Sequence, residues 1–156
     1  MIQTFVGAEV YLPGEIAETT VTVDGEMIAQ IGGPVQGVEI DARGKILAPA
    51  LIDVHGDAFE RQVMPRPGVF FPIETAVLET DRQLAANGIA TTYHSITLSY
   101  EPGLRSVERA RDMMQAIRDL APRLTVENRV QLRWETFAFE ALDTLDWVES
   151  GGLLVR

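Results

Sequence analysis

The stretch Lys45-Ile-Leu-Ala-Pro-Ala-Leu-Ile-Asp-Val-His-Gly-Asp57 constrains this chain most, because apolar residues run without alternation straight into a His-x-Asp pair. Such a run predicts a strand buried on both faces, as in a parallel sheet flanked by helices. Residues i and i+2 of a strand point the same way, so His55 and Asp57 are expected to converge where the strand ends. Parallel α/β proteins place their chemistry at that end. The pair is read as half of a metal site, with a simple hydrogen-bonded His-Asp pair as the plainer alternative.

Patterns on either side of this stretch extend the picture. Before it, Glu18–Asp24 alternates, Asp24-Gly25 is a hairpin dipeptide, Glu26–Ile31 returns, and Val38–Ala42 adds a short strand. Residues 1–44 are therefore expected to form a small antiparallel β-domain, and residues 45–156 the main α/β unit. After Asp57, the stretch to Gly68 carries two prolines and predicts an irregular loop. A helix is expected from Pro72 to Asn87, closed by Asn87-Gly88, then a strand at Ile89–Ile96. A helix over Gly103–Leu120 follows, with a strand at Arg129–Glu135 whose Val130, Leu132 and Trp134 alternate with Gln131, Arg133 and Glu135. A third helix covers Phe139–Glu149, and Leu153–Arg156 reads as the start of a fourth strand. This βαβαβα order implies a parallel sheet with right-handed crossovers, and its ending implies a shortened piece of a longer protein.

Composition narrows the partners. Thirteen basic against 23 acidic side chains give a net charge of −10, which argues against nucleic acid or an anionic membrane. With no cysteine, any metal must be held by nitrogen and oxygen. No segment has the length of a membrane span and the N-terminus lacks a signal-peptide layout, so a cytoplasmic location is expected.

The succession Ala48-Pro-Ala-Leu-Ile-Asp-Val-His-Gly-Asp57 after a small β-domain resembles the entry to the first barrel strand of the amidohydrolase superfamily. The continuation through Glu60-Arg61 and Pro65-Arg66-Pro67, with Ala86–Thr92 and Leu132-Arg-Trp-Glu135, is similar to the PhnM family of the carbon–phosphorus lyase pathway. That family hydrolyses α-D-ribose 1-methylphosphonate 5-triphosphate to the 5-phosphate and pyrophosphate. The resemblance implies a (β/α)8 barrel of which this chain holds the N-terminal β-domain and the first three βα units. It implies a divalent cation, zinc or manganese, with His55, Asp57 and Glu135 as ligands.

Arg61 and Arg66 become candidates for clamping phosphate oxygens of a small phosphorylated substrate, and Glu60 for orienting Arg61 or a ligand. The plainer readings are a surface loop for the two arginines and an ion pair with Arg133 for Glu135. The general base is expected beyond residue 156, so no catalytic residue is assigned here. His94 is expected to be a hydrogen-bonded structural histidine, and Trp134 and Trp147 core anchors. Two alternatives stand beside the diphosphatase: an amidase- or deacetylase-type amidohydrolase, and a non-catalytic remnant that self-associates into a homo-oligomer through its open strand edges.

Overall fold

The computed structural model describes residues 1–151 of the chain. They fall into two compact units, one covering Met1–Pro49 and a second beginning at Ala50.

In the first unit, β1 (Ile2–Leu12), β2 (Glu15–Asp24) and β3 (Met27–Ile31) form an antiparallel meander. The turn between β2 and β3 places Gly25 at φ 59°, a conformation that explains the Asp-Gly dipeptide. Two further strands, β4 (Val38–Asp41) and β5 (Ile46–Leu47), join β1 in parallel. Ala8, Val10, Val21 and Ala42 make a small buried core. Beside it the Thr4 and Thr22 hydroxyls meet at 3.0 Å, and Thr4 Oγ1 also donates to the Gln36 carbonyl at 2.7 Å.

The second unit carries three parallel strands in the order β6 (Leu51–Gly56), β7 (Ile89–Leu98), β8 (Glu127–Trp134). Helices α1 (Ala58–Val63), α2 (Ile73–Ala86), α3 (Val107–Leu120) and α4 (Leu142–Ser150) complete it. Helix α3 begins where Ser106 caps it, its side chain accepting from the Arg109 N–H at 3.3 Å. Ala110, Met113, Met114 and Ile117 of this helix pack with Ile96 and Leu98 of β7 and Val130 of β8 in one continuous core. The α/β class and the alternation of strands and helices expected from the sequence are present.

Several expectations are corrected. Lys45–Asp57 is not one buried strand. Ile46-Leu47 belongs to the first sheet, Ala48–Ala50 is irregular, and the first unit runs on to Pro49 rather than ending at Gly44. Among the described residues strand β6 is an edge strand with only β7 beside it, which leaves Leu51, Ile52 and Val54 at 61%, 61% and 66% exposure. The supposedly irregular loop after Asp57 contains α1, because Phe59 and Val63 lie four residues apart and both bury one helical face. Helix α3 starts at Val107 rather than Gly103, whose φ of 106° belongs to the preceding loop. Trp134 is 38% exposed, its indole N–H donating to the Ala138 carbonyl at 3.0 Å, so it is no deep anchor. Trp147 does pack on the core, beneath the Arg118 guanidinium. The fourth strand expected at Leu153–Arg156 lies outside the described residues.

One buried carboxylate ties the second unit together. Asp81, on α2 and 3% exposed, accepts from the backbone N–H of Thr125 and Val126 and from Asn128 Nδ2, all within 3.1 Å. It thereby fixes the entry to β8 from a helix over forty residues earlier. Removing it leaves the buried Val126 N–H and the part-buried Thr125 N–H and Asn128 Nδ2 without this acceptor. Asp81→Ala is expected to lower the unfolding free energy by about 3 kcal/mol in urea titrations; a loss under about 1 kcal/mol would show that the tie is dispensable.

Candidate functional site at the carboxyl ends of the parallel strands

Three strands running the same way deliver three chain segments to one edge of the sheet. β6 delivers Asp53, His55 and Asp57, β7 delivers Ser99 and the loop to Arg105, and β8 delivers Glu135. Each arrives with specific tethers.

His55 is exposed and sits at an irregularity of the β6–β7 ladder between Asp53 and Gly56. Its backbone N–H donates to Asp53 Oδ1 at 3.1 Å, so the carboxylate two residues before fixes the backbone from which the imidazole projects. Gly56 is required there by close approach. A Cβ at this position would stand 2.8 Å from both Asp53 Oδ2 and Thr92 Oγ1. Gly56 pairs with His94, and the irregularity between Asp53 and Gly56 interrupts the strand alternation at His55.

Asp57 is not part of the strand. It is the residue from which α1 starts, with φ −123° and ψ 11°. The i, i+2 geometry of an extended strand therefore does not describe the His55–Asp57 pair.

The β7–β8 face opposite His94 is polar along its whole length, with side chains of the two strands in register. Thr91 Oγ1 donates to Glu127 Oε2 at 3.2 Å and Arg129 Nη1 to the Tyr93 hydroxyl at 2.7 Å. Ser95 Oγ donates to Gln131 Oε1 at 2.6 Å, and Ser99 Oγ to Glu135 Oε2 at 2.8 Å. Thr97 and Arg133 occupy the remaining rung. The partner of Glu135 is thus the nearly buried Ser99 across the strands, not Arg133.

Glu60 of α1 is taken by Arg105, whose Nε and Nη2 fork onto its two oxygens at 2.8 and 2.9 Å. The fork links the β6 and β7 segments, and its guanidinium also feels Asp57 and Glu135. Glu60 is therefore held by Arg105, where the sequence reading gave it to Arg61 or to a metal ligand. Arg61 and Arg66 are both exposed, Arg61 in the last turn of α1 and Arg66 in a tight turn bridged to Val69.

His94 is buried on the helix side. It sits 2.6 Å from Asn128 Oδ1 through Nε2 and edge-on to Phe59, ring centroids 5.5 Å apart. Asn128 gives its own amide hydrogens to Asp81 and to the Val126 carbonyl, so its oxygen accepts and His94 Nε2 donates. This is the structural histidine expected from the sequence. Burial holds its pKa below the ordinary 6.5, with the Asn128 hydrogen bond and the charges of Asp53 and Asp81 opposing in part.

Among the described residues no three His, Asp or Glu side chains stand together in a way that could hold a metal ion. Glu135 already accepts from Ser99, and a catalytic metal needs three protein ligands and an open position. His55, Asp57 and Glu135 share one rim without making a complete metal site by themselves.

Comparison with known proteins agrees with this architecture. Solved structures with the same fold include a D-hydantoinase from Bacillus sp. AR9, at TM-score 0.61 and 21% identity, covering 96% of this chain and 30% of that one. A dihydropyrimidinase from Brevibacillus agri NCHU1002 gives TM-score 0.57 at 20% identity, covering 96% of this chain and 31% of that one. An amidohydrolase from a Sargasso Sea environmental sample gives 0.57 at 16%, covering 90% and 36%. These likenesses show the fold, which this chain shares with about a third of each of these proteins. In sequence, the chain is 30% identical over 99 residues to the alpha-D-ribose 1-methylphosphonate 5-triphosphate diphosphatase of Escherichia coli (strain K12). That match covers 62% of this chain and 26% of the diphosphatase, of which this chain is a partial relative. No family model matches. The chain spans about a quarter to a third of the length of these proteins.

Two outcomes are expected. Gly56→Ala pushes a methyl into Asp53 and Thr92, costs about 1–3 kcal/mol and releases the Asp53 tether, visible as faster exchange of the His55 amide. An unpaired His94 takes up a proton more readily once unfolded, so stability is intact above pH 6.5 and falls as the pH drops below it. Urea midpoints measured from pH 8 to 5 should show that fall, and His94→Gln should flatten the part due to this residue.

Proposed function

We propose that this chain carries the opening part of a hydrolase that cleaves the triphosphate of α-D-ribose 1-methylphosphonate 5-triphosphate, releasing pyrophosphate in phosphonate metabolism. The observation that supports this reading most is the likeness over 99 residues to a diphosphatase of that substrate. The arrangement of the rim is compatible with it. His55 brings an exposed imidazole and Asp57 an exposed carboxylate to the edge where parallel barrels work, and Glu135 adds a second carboxylate positioned by Ser99.

In this reading a divalent cation, zinc or manganese, is held by His55 and Asp57, joined by Glu135 and by ligands from outside this chain. When bound, such an ion activates water and polarises a phosphoryl oxygen. This chain's own residues contribute orientation. Asp53 fixes the backbone of His55, Ser99 holds one oxygen of Glu135, and Arg105 anchors α1 through Glu60. Arg61 and Arg66, both exposed, are available to phosphate oxygens at the outer edge. The chemistry runs on a small phosphorylated molecule.

The fold shared with hydantoinases keeps a cyclic-amide hydrolase as the second reading. Incubating the intact protein with the triphosphate riboside and with dihydrouracil separates the two. Pyrophosphate release, reduced about a hundredfold or more by His55→Ala and by Asp57→Ala, is expected. Ring opening of dihydrouracil with no pyrophosphate would overturn the first reading in favour of the second.

A further inference from the structure

The β7–β8 face opposite His94 is unusual for an interior barrel surface, where branched apolar side chains normally fill the layers. Here the β8 side chains on that face are Glu127, Arg129, Gln131 and Arg133, followed by Glu135. Four of these five are matched by a neighbour. Glu127 accepts from Thr91 and Arg129, Arg129 also donates to Tyr93, Gln131 accepts from Ser95, and Glu135 accepts from Ser99. Arg133 is the exception. It is exposed and makes no side-chain hydrogen bond or ion pair among the described residues.

We propose that Arg133 is a binding residue for the polyphosphate of the substrate. The inference rests on the proposed function and names a contact that Arg61 and Arg66 do not account for. Three features support it. Arg133 lies on a strand paired residue by residue with β7, so its backbone is fixed more firmly than that of a loop arginine. It stands one rung below the Ser99–Glu135 pair, on the rim where β6 delivers His55. Its guanidinium keeps its full fork of donors for an anion, whereas Arg105 and Arg129 have theirs committed to Glu60 and Glu127.

Electrostatics supports the same residue. Asp57, Glu60, Glu101 and Glu135 crowd this end of the sheet, and a polyanion entering there needs an uncommitted cation on the inner face. Phosphate is suited to a planar fork, so lysine is an incomplete substitute.

Calorimetric titration of the intact, chelator-treated protein with inorganic tripolyphosphate tests the proposal apart from catalysis. Arg133→Gln is expected to weaken binding about tenfold to a hundredfold. Arg133→Lys should fall between, and Arg123→Gln, on an exposed turn of α3's end, should bind as the unaltered protein does. Unchanged affinity in Arg133→Gln, or no tripolyphosphate binding by the unaltered protein, overturns the assignment. Turnover of the triphosphate riboside is scored separately: hydrolysis that persists while Arg133→Gln still binds tripolyphosphate normally removes Arg133 and leaves the functional reading standing. Tripolyphosphate binding that depends on Arg133 without turnover removes the reading and leaves the anion site.

Discussion

Strand β7 is the constraint on which the second unit depends, because among the described residues it alone has a parallel neighbour on each edge. From Thr92 to Ser99 it is buried at every position but Tyr93. Its two faces do different work. Ile96 and Leu98 seal the helices against the sheet, while Tyr93, Ser95 and Ser99 hydrogen-bond across to β8. Since parallel pairing fixes both neighbours in direction as well as register, the segments carrying His55, Ser99 and Glu135 must emerge together. The grouping of these residues at one rim is a consequence of that pairing.

Polar groups, rather than apolar packing alone, set the register. Asp81, Asn128 and His94 form a connected chain from α2 through the start of β8 to the middle of β7. Each member leaves buried hydrogen-bonding capacity unmatched if its neighbour is lost, so a slipped strand costs far more than a repacked one. At the other end, the Arg105–Glu60 fork and the Ser99–Glu135 bond connect the loops of adjacent strands. The half-exposed fork contributes little to stability in solvent, and its main effect is on where α1 sits.

Much of this is legible in the sequence through periodicity. The helical faces of α2 and α3, the β-branched run of β7 and the alternation of Val130 and Leu132 with Gln131, Arg133 and Glu135 all follow from local pattern. The apolar run before His55 misleads, since periodicity reports hydrophobicity and cannot show that Pro49 separates two units or that β6 lies at an edge. Short α1 is hidden by the prolines that follow it. The contributions of Asp81, Ser99 and Arg105 depend on partners 36 to 47 residues away, and no local signal marks a lone Asp, Ser or Arg as one end of such a contact. The candidate residues at the rim were legible from motif resemblance, but their spacing as an extended-strand pair was not, because a ladder irregularity and a helix start intervene.

The central claim is that the carboxyl ends of β6, β7 and β8 form one ligand-facing rim. A crystal structure of the intact protein bound to a non-hydrolysable imidotriphosphate riboside tests it most directly. The triphosphate is expected at this rim, within contact of His55 or Asp57 and on the face bearing Glu135. A ligand seated on the helix side of the sheet, or on the first unit, would contradict it.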